Sequence, residues 1–320
     1  MPFISSCTAS AIKDAAAALL NGDLVAFPTE TVYGLGADAA NKMAVNKIYK
    51  AKGRPADHPV IVHISNINLL DKWAKEIPAY AIKLARTFWP GPMTLILPRT
   101  ELAKDFITGG QSNVGIRIPH QVVGLALLSE FEKQGGLGVA APSANRFGAV
   151  SPTTAQAVAA ELGEYLSSND QILDGGSCEV GLESTIIDCT GSEPIILRPG
   201  AITAAMIFET TDLEPVSNKK VDIKAPGLLE SHYSPLAKVI LDQLPKYGDG
   251  FIALSNIKTP EGVTRLASPK NNEEYAKILY QALRSADEQS IKVVHAHLPT
   301  GSDIAVAIRD RLTKAAVKIS

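Results

Sequence analysis

Across its first two thirds the chain alternates short apolar runs with amphipathic helical stretches, and this alternation narrows the fold more than any other feature. Apolar runs bounded by turn residues read as buried strands; they fall at 24–27, 59–64, 93–97, 115–118, 138–141, 172–173, 185–188 and 195–197. Thr8 or Ser10 can cap a helix carrying Ile12, Ala16, Leu19 and Leu20, closed by Gly22. Asn41 can cap another, with Val45, Ile48 and Tyr49 on one face and an end before Gly53. Further helical stretches carry Leu69, Leu70 and Trp73, then Ile82 and Leu84 to Trp89, where Pro90 stops them. Ser151-Pro152 is a helix-start signal. The pattern predicts an α/β or α+β domain of roughly two hundred residues.

A length of 320 residues favours a second domain. From about Thr210 to Pro235 the periodicity lapses among prolines 215, 226 and 235, which predicts a linker. Its apolar Leu228 and Leu229 and its Tyr233 would prefer cover, so it reads equally as a tether or as a lid. Beyond it, strands at 239–241, 251–254 and 291–294 and helices at 273–289 and 303–318 predict a small α/β unit with a largely parallel sheet. His295 and His297 share one face of its last strand.

Hydrophobic residues make up 46% and charged residues 20%, enough for a substantial core and against disorder. A net charge of −2 offers no whole-protein attraction for nucleic acid, although a local basic patch stays open. Cys7, Cys178 and Cys189 are odd in number and far apart, so neither a disulfide framework nor a zinc knuckle is encoded. No apolar run is long enough to cross a membrane, and the N-terminus lacks the pattern of a signal peptide; the expected location is cytoplasmic.

The common phosphate-loop, dinucleotide, zinc-protease and serine-hydrolase motifs are all missing. Five loops dense in small polar residues remain, and each reads alone as turn chemistry or as a ligand cradle. They are Pro28-Thr29-Glu30-Thr31-Val32-Tyr33-Gly34-Leu35-Gly36; Lys50-Ala51-Lys52-Gly53-Arg54-Pro55, leading to His58 and His63; Asn113 to Pro119; Ala141-Pro142-Ser143-Ala144-Asn145; and Gly181-Leu182-Glu183-Ser184-Thr185 with Arg198-Pro199-Gly200. Arg117 lies in an apolar strand, where its charge needs either a structural carboxylate or the carboxylate of a ligand. Arginines in three of these neighbourhoods point to one anion-binding cleft.

Taken in order, the stretch 28–36, the pair Lys52 and Arg54, Ser143-Ala144-Asn145, Gly181 to Thr185 and Leu197-Arg198-Pro199-Gly200 resemble the signature of the YrdC-like family. The tail with His232-Tyr233-Ser234-Pro235 resembles its long, two-domain form. The resemblance implies a twisted open α/β sheet with a concave, positively charged cleft over 8–204, a linker or lid over 205–236, and a Rossmann-like α/β domain over 237–320. It implies a nucleotidyltransferase that makes threonylcarbamoyl-AMP and pyrophosphate from L-threonine, bicarbonate and ATP. The product would pass to a transferase that installs threonylcarbamoyladenosine in tRNA.

By the same resemblance, Thr31, His63, Arg117, Ala141 and Ser184 surround L-threonine. Arg54, His58, Asn113, Ser143, Ser151, Arg198 and Tyr233 surround ATP, with Lys52 and Arg54 as the catalytic pair. His58 departs from the asparagine found in many relatives. Mg²⁺ would arrive with the triphosphate rather than through a protein metal site. The rival reading is an RNA-binding module without catalysis; near-neutral charge and 6% aromatics disfavour it, and RNA contact is allowed but not required.

Overall fold

Residues 3–217, 223–227 and 233–317 are described by the computed structural model. His232, Leu228 and Leu229 lie outside the described residues. In chain order the first strands are β1 (Phe3–Ser6), β2 (Val25–Phe27), β3 (Gly34–Asp38), β4 (Ile61–His63), β5 (Met93–Pro98) and β6 (Asn113–Arg117). They continue with β7 (Val139–Ala140), β8 (Gln171–Asp174), β9 (Thr185–Asp188), β10 (Ile195–Arg198) and β11 (Val216–Ser217). These form one open, mixed sheet in the order β1-β8-β2-β3-β7-β4-β6-β5-β9-β10-β11. The middle of the sheet matters for the site: β4 runs parallel to β6, while β7 is antiparallel to both β3 and β4.

A second sheet has β12 (Lys238–Leu241), β13 (Gly250–Ile252), β14 (Thr264–Ala267) and β15 (Val293–Ala296) in the order β12-β15-β13-β14. All of its pairs are parallel, as the sequence pattern predicts for a small α/β unit. Its long helix Asn272–Glu288 is capped by Asn271, whose side chain accepts from the Glu274 amide. No described helix is long and apolar enough to cross a membrane.

Local chemistry accounts for the elements that carry the site. Asn41 caps the helix Lys42–Lys52 by accepting from the amides of Met43 and Ala44. Gly53, at φ 62°, closes that helix in the left-handed conformation. The chain therefore leaves a buried helix end at Lys52 and turns Arg54 back toward the sheet.

Three expectations change. The stretch at Gly34 and Gly36, read as a loop, is half strand: β3 pairs antiparallel with β2, with Gly36 opposite Val25. Glycines suit that strand because the neighbours are so near. A Cβ on Gly36 would sit 2.8 Å from Val139 Cγ1 and 2.9 Å from Phe27 Cε1. The expected linker at 205–236 begins as regular structure instead. The helix Ala204–Thr211, capped by Thr203, buries Ile207 in the large core, and β11 adds to the large sheet beside β10. The helix start expected at Ser151-Pro152 falls later: Thr154 caps the helix Ala155–Leu162 by accepting from the Ala157 amide, because the Ser151 hydroxyl is committed to Glu183.

A second apolar core joins the two sheets' domains. Val32, Val150 and Leu182 from the large one pack with Tyr233, Tyr275, Ala276, Leu279 and Tyr280. Gly181, at φ 79°, lets the backbone touch the long helix: a Cβ there would lie 2.5 Å from Lys277 Cα and 2.6 Å from the Ala276 carbonyl oxygen. Gly181→Ala is expected to cost about 2–4 kcal/mol through positive φ and overlap with backbone. Equilibrium urea unfolding should show a lower midpoint with an unchanged slope; a midpoint equal to the parent's would mean that the two domains are not pressed together there.

Candidate functional site

One cavity opens where the loop before β3, the ends of β4, β6 and β7, and the loops flanking β9 and β10 converge. Thr31, His63, Arg117, Ala141 and Ser184 all line it, as do Arg54, Ser143, Arg198 and Tyr233. Pairing of β4 with β6 sets His63 directly opposite Arg117, so both side chains leave the same face of the sheet. Ser143 comes alongside through a bridge to Gly34.

Arg117 resolves the choice left open by its strand. Its Nη2 donates to Glu30 Oε1 at 2.7 Å and its Nε to the Gly91 carbonyl at 3.3 Å. Glu30 Oε2 in turn accepts from the His120 amide at 3.0 Å. The charge is matched inside the protein, and the donors left for a ligand are the two on Nη1 and the second on Nη2. His63 is buried beside it. Burial, then the Arg117 charge, pushes its pKa down to about 3, so the imidazole is neutral, and its Nδ1 has no hydrogen-bond partner among the described residues.

Hydroxyls define the rest of that wall. Thr29 donates to the Val32 carbonyl at 2.6 Å and lies 2.8 Å from the Thr31 hydroxyl. Its single proton is thereby used, so Thr31 donates to Thr29 and presents lone pairs to the cavity. Ser184 Oγ sits 2.8 Å from Thr94 Oγ1 and accepts from Arg198 Nη2 at 3.2 Å. The Ala141 amide donates to the Ile61 carbonyl at 2.9 Å and is not available to a ligand.

The opposite wall is cationic. Arg54 Nη2 donates to the Pro59 carbonyl at 2.9 Å, its guanidinium lies 5.7 Å from the Phe147 ring centre, and its buried Nε has no hydrogen-bond partner among the described residues. Burial lowers its pKa to about 10. Arg198 donates to the Ser184 carbonyl at 3.1 Å and the Pro226 carbonyl at 3.0 Å. Among the described residues neither arginine has a carboxylate within ion-pair distance.

Four expected residues stand outside the cavity lining. Lys52 is fully buried; its Nζ donates to the Ser143 and Asn145 carbonyls, and burial lowers its pKa well below the usual lysine value. It ties down the loop that carries Ser143. His58 packs edge-on against Phe147, with ring centres 5.3 Å apart. Asn113 lines a smaller adjoining pocket that shares Ile61 and Pro226 with the main one. Ser151 is buried behind the wall and donates to Glu183 Oε1 at 2.6 Å.

Glu183 is the residue that motif reading passes over. It lines the cavity and also accepts from Tyr280 at 2.8 Å and Arg311 Nε at 2.9 Å. Burial alone would raise its pKa, but the Arg311 and Arg198 charges and the Ser151 bond hold it down to about 2. Its place between Leu182 and Ser184 in a loop already singled out was the available signal. Arg311, one of several cations on an amphipathic helix, gave none.

The segment 223–227 and Tyr233 cover the cavity. Lys224 bonds Asp57 at 2.9 Å, Pro226 accepts from Arg198, and Gly227 accepts from Lys314 at 2.8 Å. Tyr233 is buried at φ 63°, stacked on Tyr280 with ring centres 5.8 Å apart.

Known proteins carry the same architecture. Residues 17–200 match a family model described as telomere recombination, which groups Sua5, YciO and YrdC proteins. Residues 202–317 match the model of the threonylcarbamoyl-AMP synthase C-terminal domain. Threonylcarbamoyl-AMP synthase of Pyrococcus abyssi is 40% identical over 95% of this chain and 93% of its own. The enzyme of that name from Bacillus subtilis is 38% identical over 95% and 92%. A crystal structure of P. abyssi Sua5 complexed with L-threonine superposes with a TM-score of 0.85 at 38% identity, covering 95% of this chain and 94% of that one. With near-complete coverage in both directions, the chain belongs to the threonylcarbamoyl-AMP synthase family, two-domain nucleotidyltransferases that serve threonylcarbamoyladenosine modification of tRNA.

Proposed function

We propose that the cavity binds L-threonine along its hydroxyl-rich wall and ATP along its cationic wall, and joins them through bicarbonate. The observation that carries this reading is the pair of buried guanidiniums, Arg54 and Arg198, bonded to neutral groups only among the described residues. Buried cations without a carboxylate call for an anion from outside, and a triphosphate meets that need. The P. abyssi relative solved with L-threonine supports the assignment of the other wall.

In this reading the threonine amine and bicarbonate-derived CO₂ form a carbamate, whose oxygen attacks the α-phosphorus as pyrophosphate leaves. No protein nucleophile takes part. Thr31 lone pairs accept from the ammonium or side-chain hydroxyl, and Arg117, its charge already paired with Glu30, donates hydrogen bonds from its remaining N–H groups to the carboxylate. Arg54 and Arg198 neutralise the charge that builds on phosphate oxygens. Lys52 acts by holding Ser143 in place, and Ser151, behind the wall with its proton given to Glu183, acts on the nucleotide site through that carboxylate. His58 and Asn113 flank the phosphate end. The residues 223–227 and Tyr233 act as the lid, with Tyr233 over the nucleotide, and keep water from the carbamate and the mixed anhydride.

Mg²⁺ fits only as a companion of ATP. The carboxylates beside the cavity, Glu30 and Glu183, are both engaged by arginine, and no described cluster of three His, Cys, Asp or Glu could hold a metal. The ion would ride on phosphate oxygens and water, where it offsets phosphate charge. The product leaves for a separate tRNA-modifying transferase.

Arg54→Ala and Arg198→Ala should each lower threonine-dependent pyrophosphate release roughly 100-fold or more while far-ultraviolet circular dichroism stays unchanged. Near-parent turnover in both variants would overturn the phosphate cradle. A second expectation concerns pH. His63 sits at about 3 when folded, below its ordinary value of about 6.5, so the unfolded chain takes up the proton first. Its contribution to stability is complete above about pH 6.5 and is lost as pH falls toward 3. Urea midpoints should therefore drop across that window, and His63→Gln should flatten the drop; an identical slope in the variant would assign the effect elsewhere.

A further inference from the structure

Two fully buried side chains of the C-terminal domain reach Glu183 at the cavity. Arg311, on the helix Ala305–Ala316, donates from Nε to Glu183 Oε2 at 2.9 Å, from Nη1 to Asp310 at 2.5 Å and from Nη2 to the Pro199 carbonyl at 3.0 Å. Tyr280, on the helix Asn272–Glu288, adds a hydrogen bond to the same Glu183 oxygen at 2.8 Å. Glu183 and Arg198 both line the cavity, and their charges act on each other. Glu183 is thus the carboxylate that could neutralise Arg198, yet its bonds go to Arg311, Tyr280 and Ser151.

We propose that Arg311 is a positioning residue: it occupies the Glu183 carboxylate and so leaves Arg198 to an incoming phosphate. This rests on the assignment of Arg198 to ATP. Arg311 also pairs with Asp310 on its own helix, so Glu183 is the carboxylate that the two cations share, and its ion pair with the second domain leaves Arg198 uncompensated. Without Arg311, Glu183 would be a buried carboxylate short of a partner, with Arg198 the cation beside it. Arg198 would then carry a protein carboxylate where the triphosphate has to bind. The helix that carries Arg311 also holds the cover, since Lys314 donates to the Gly227 carbonyl and the Arg311 guanidinium lies 5.2 Å from the Tyr233 ring centre. The second domain is on this account part of the nucleotide site and not an appendage to it.

The test uses the full chain and reads KM for ATP, KM for threonine and kcat separately. Arg311→Met should raise KM for ATP about tenfold, the worth of one charged contact, while KM for threonine stays within about twofold. Adding Glu183→Gln to Arg311→Met should restore KM for ATP to within about threefold of the parent, because the competing charge is gone. A purely structural role for Arg311 would not be rescued by removing a second polar partner. If Arg311→Met does not fold, Tyr280→Phe, which removes one of the three bonds that hold Glu183 away from Arg198, should still raise KM for ATP roughly threefold. Arg309→Met, which removes bonds to the Pro299 and Gly301 carbonyls on the same helix, is the control and should leave KM for ATP at the parent value. An unchanged KM for ATP in Arg311→Met or Tyr280→Phe, or a double variant as weak as Arg311→Met, overturns the proposal. Arg198→Ala separates the two levels: if it leaves ATP binding intact, the assignment of Arg198 fails and this inference with it. If it weakens ATP binding while Arg311→Met does not, the inference alone fails.

Discussion

Four arginines are buried in and behind one small cavity, and the need to match their charges orders much of what surrounds it. Two are matched from within: Arg117 by Glu30 and Arg311 by Glu183. Breaking a buried pair of this kind by removing one partner costs about 3–5 kcal/mol, so these contacts fix the loops that carry the glutamates as firmly as any apolar core. The other two, Arg54 and Arg198, are held by carbonyl oxygens and a serine. Those bonds orient a guanidinium without cancelling its charge. The fold thus divides its cations into a pair matched by carboxylates and a pair that no described carboxylate matches.

The same division explains why the two domains meet where they do. Val32, Val150 and Leu182 give the second domain an apolar seat beside the cavity, and Gly181 lets the backbones touch. From that seat the helices of the small sheet deliver Tyr280 and Arg311 to Glu183, and Lys314 to Gly227. Floor and cover of the site are therefore held by one packing arrangement. A binding site that must exclude water gains from such an arrangement, because the groups that match its charges also close it.

Much of this was legible in the residues before any coordinates, and the rest was hidden for definable reasons. Strand periods and capping residues located most elements, since Asn41 and Gly53 act within a few residues of themselves. Thr31, His63, Arg117, Ser184, Arg54 and Arg198 could be singled out because small polar loops and a charge in an apolar strand are local anomalies. Lys52 shared that anomaly, yet its ammonium faces two carbonyls of its own protein, a fact set by the packing of a distant loop. β3 was hidden because Gly34 and Gly36 are poor strand formers, and at Gly36 the side chains of neighbouring strands leave no room for a Cβ. The partners of Arg117 and Glu183 lie 87 and 128 residues away in sequence, so no local pattern could pair them. Arg311 is the extreme case: on its own helix it is one cation among several, and only the fold makes it a neighbour of the cavity.

Whether the bicarbonate carbon enters the adenylate separates the carbamate route from direct activation of threonine. Supplying ¹³C-bicarbonate with L-threonine and ATP, and weighing the adenylate formed by the full chain, reads this directly. A carbamate route predicts an adenylate that contains threonine and one ¹³C, formed together with pyrophosphate. An unlabelled threonyl adenylate, or pyrophosphate released at the same rate without bicarbonate, would contradict it.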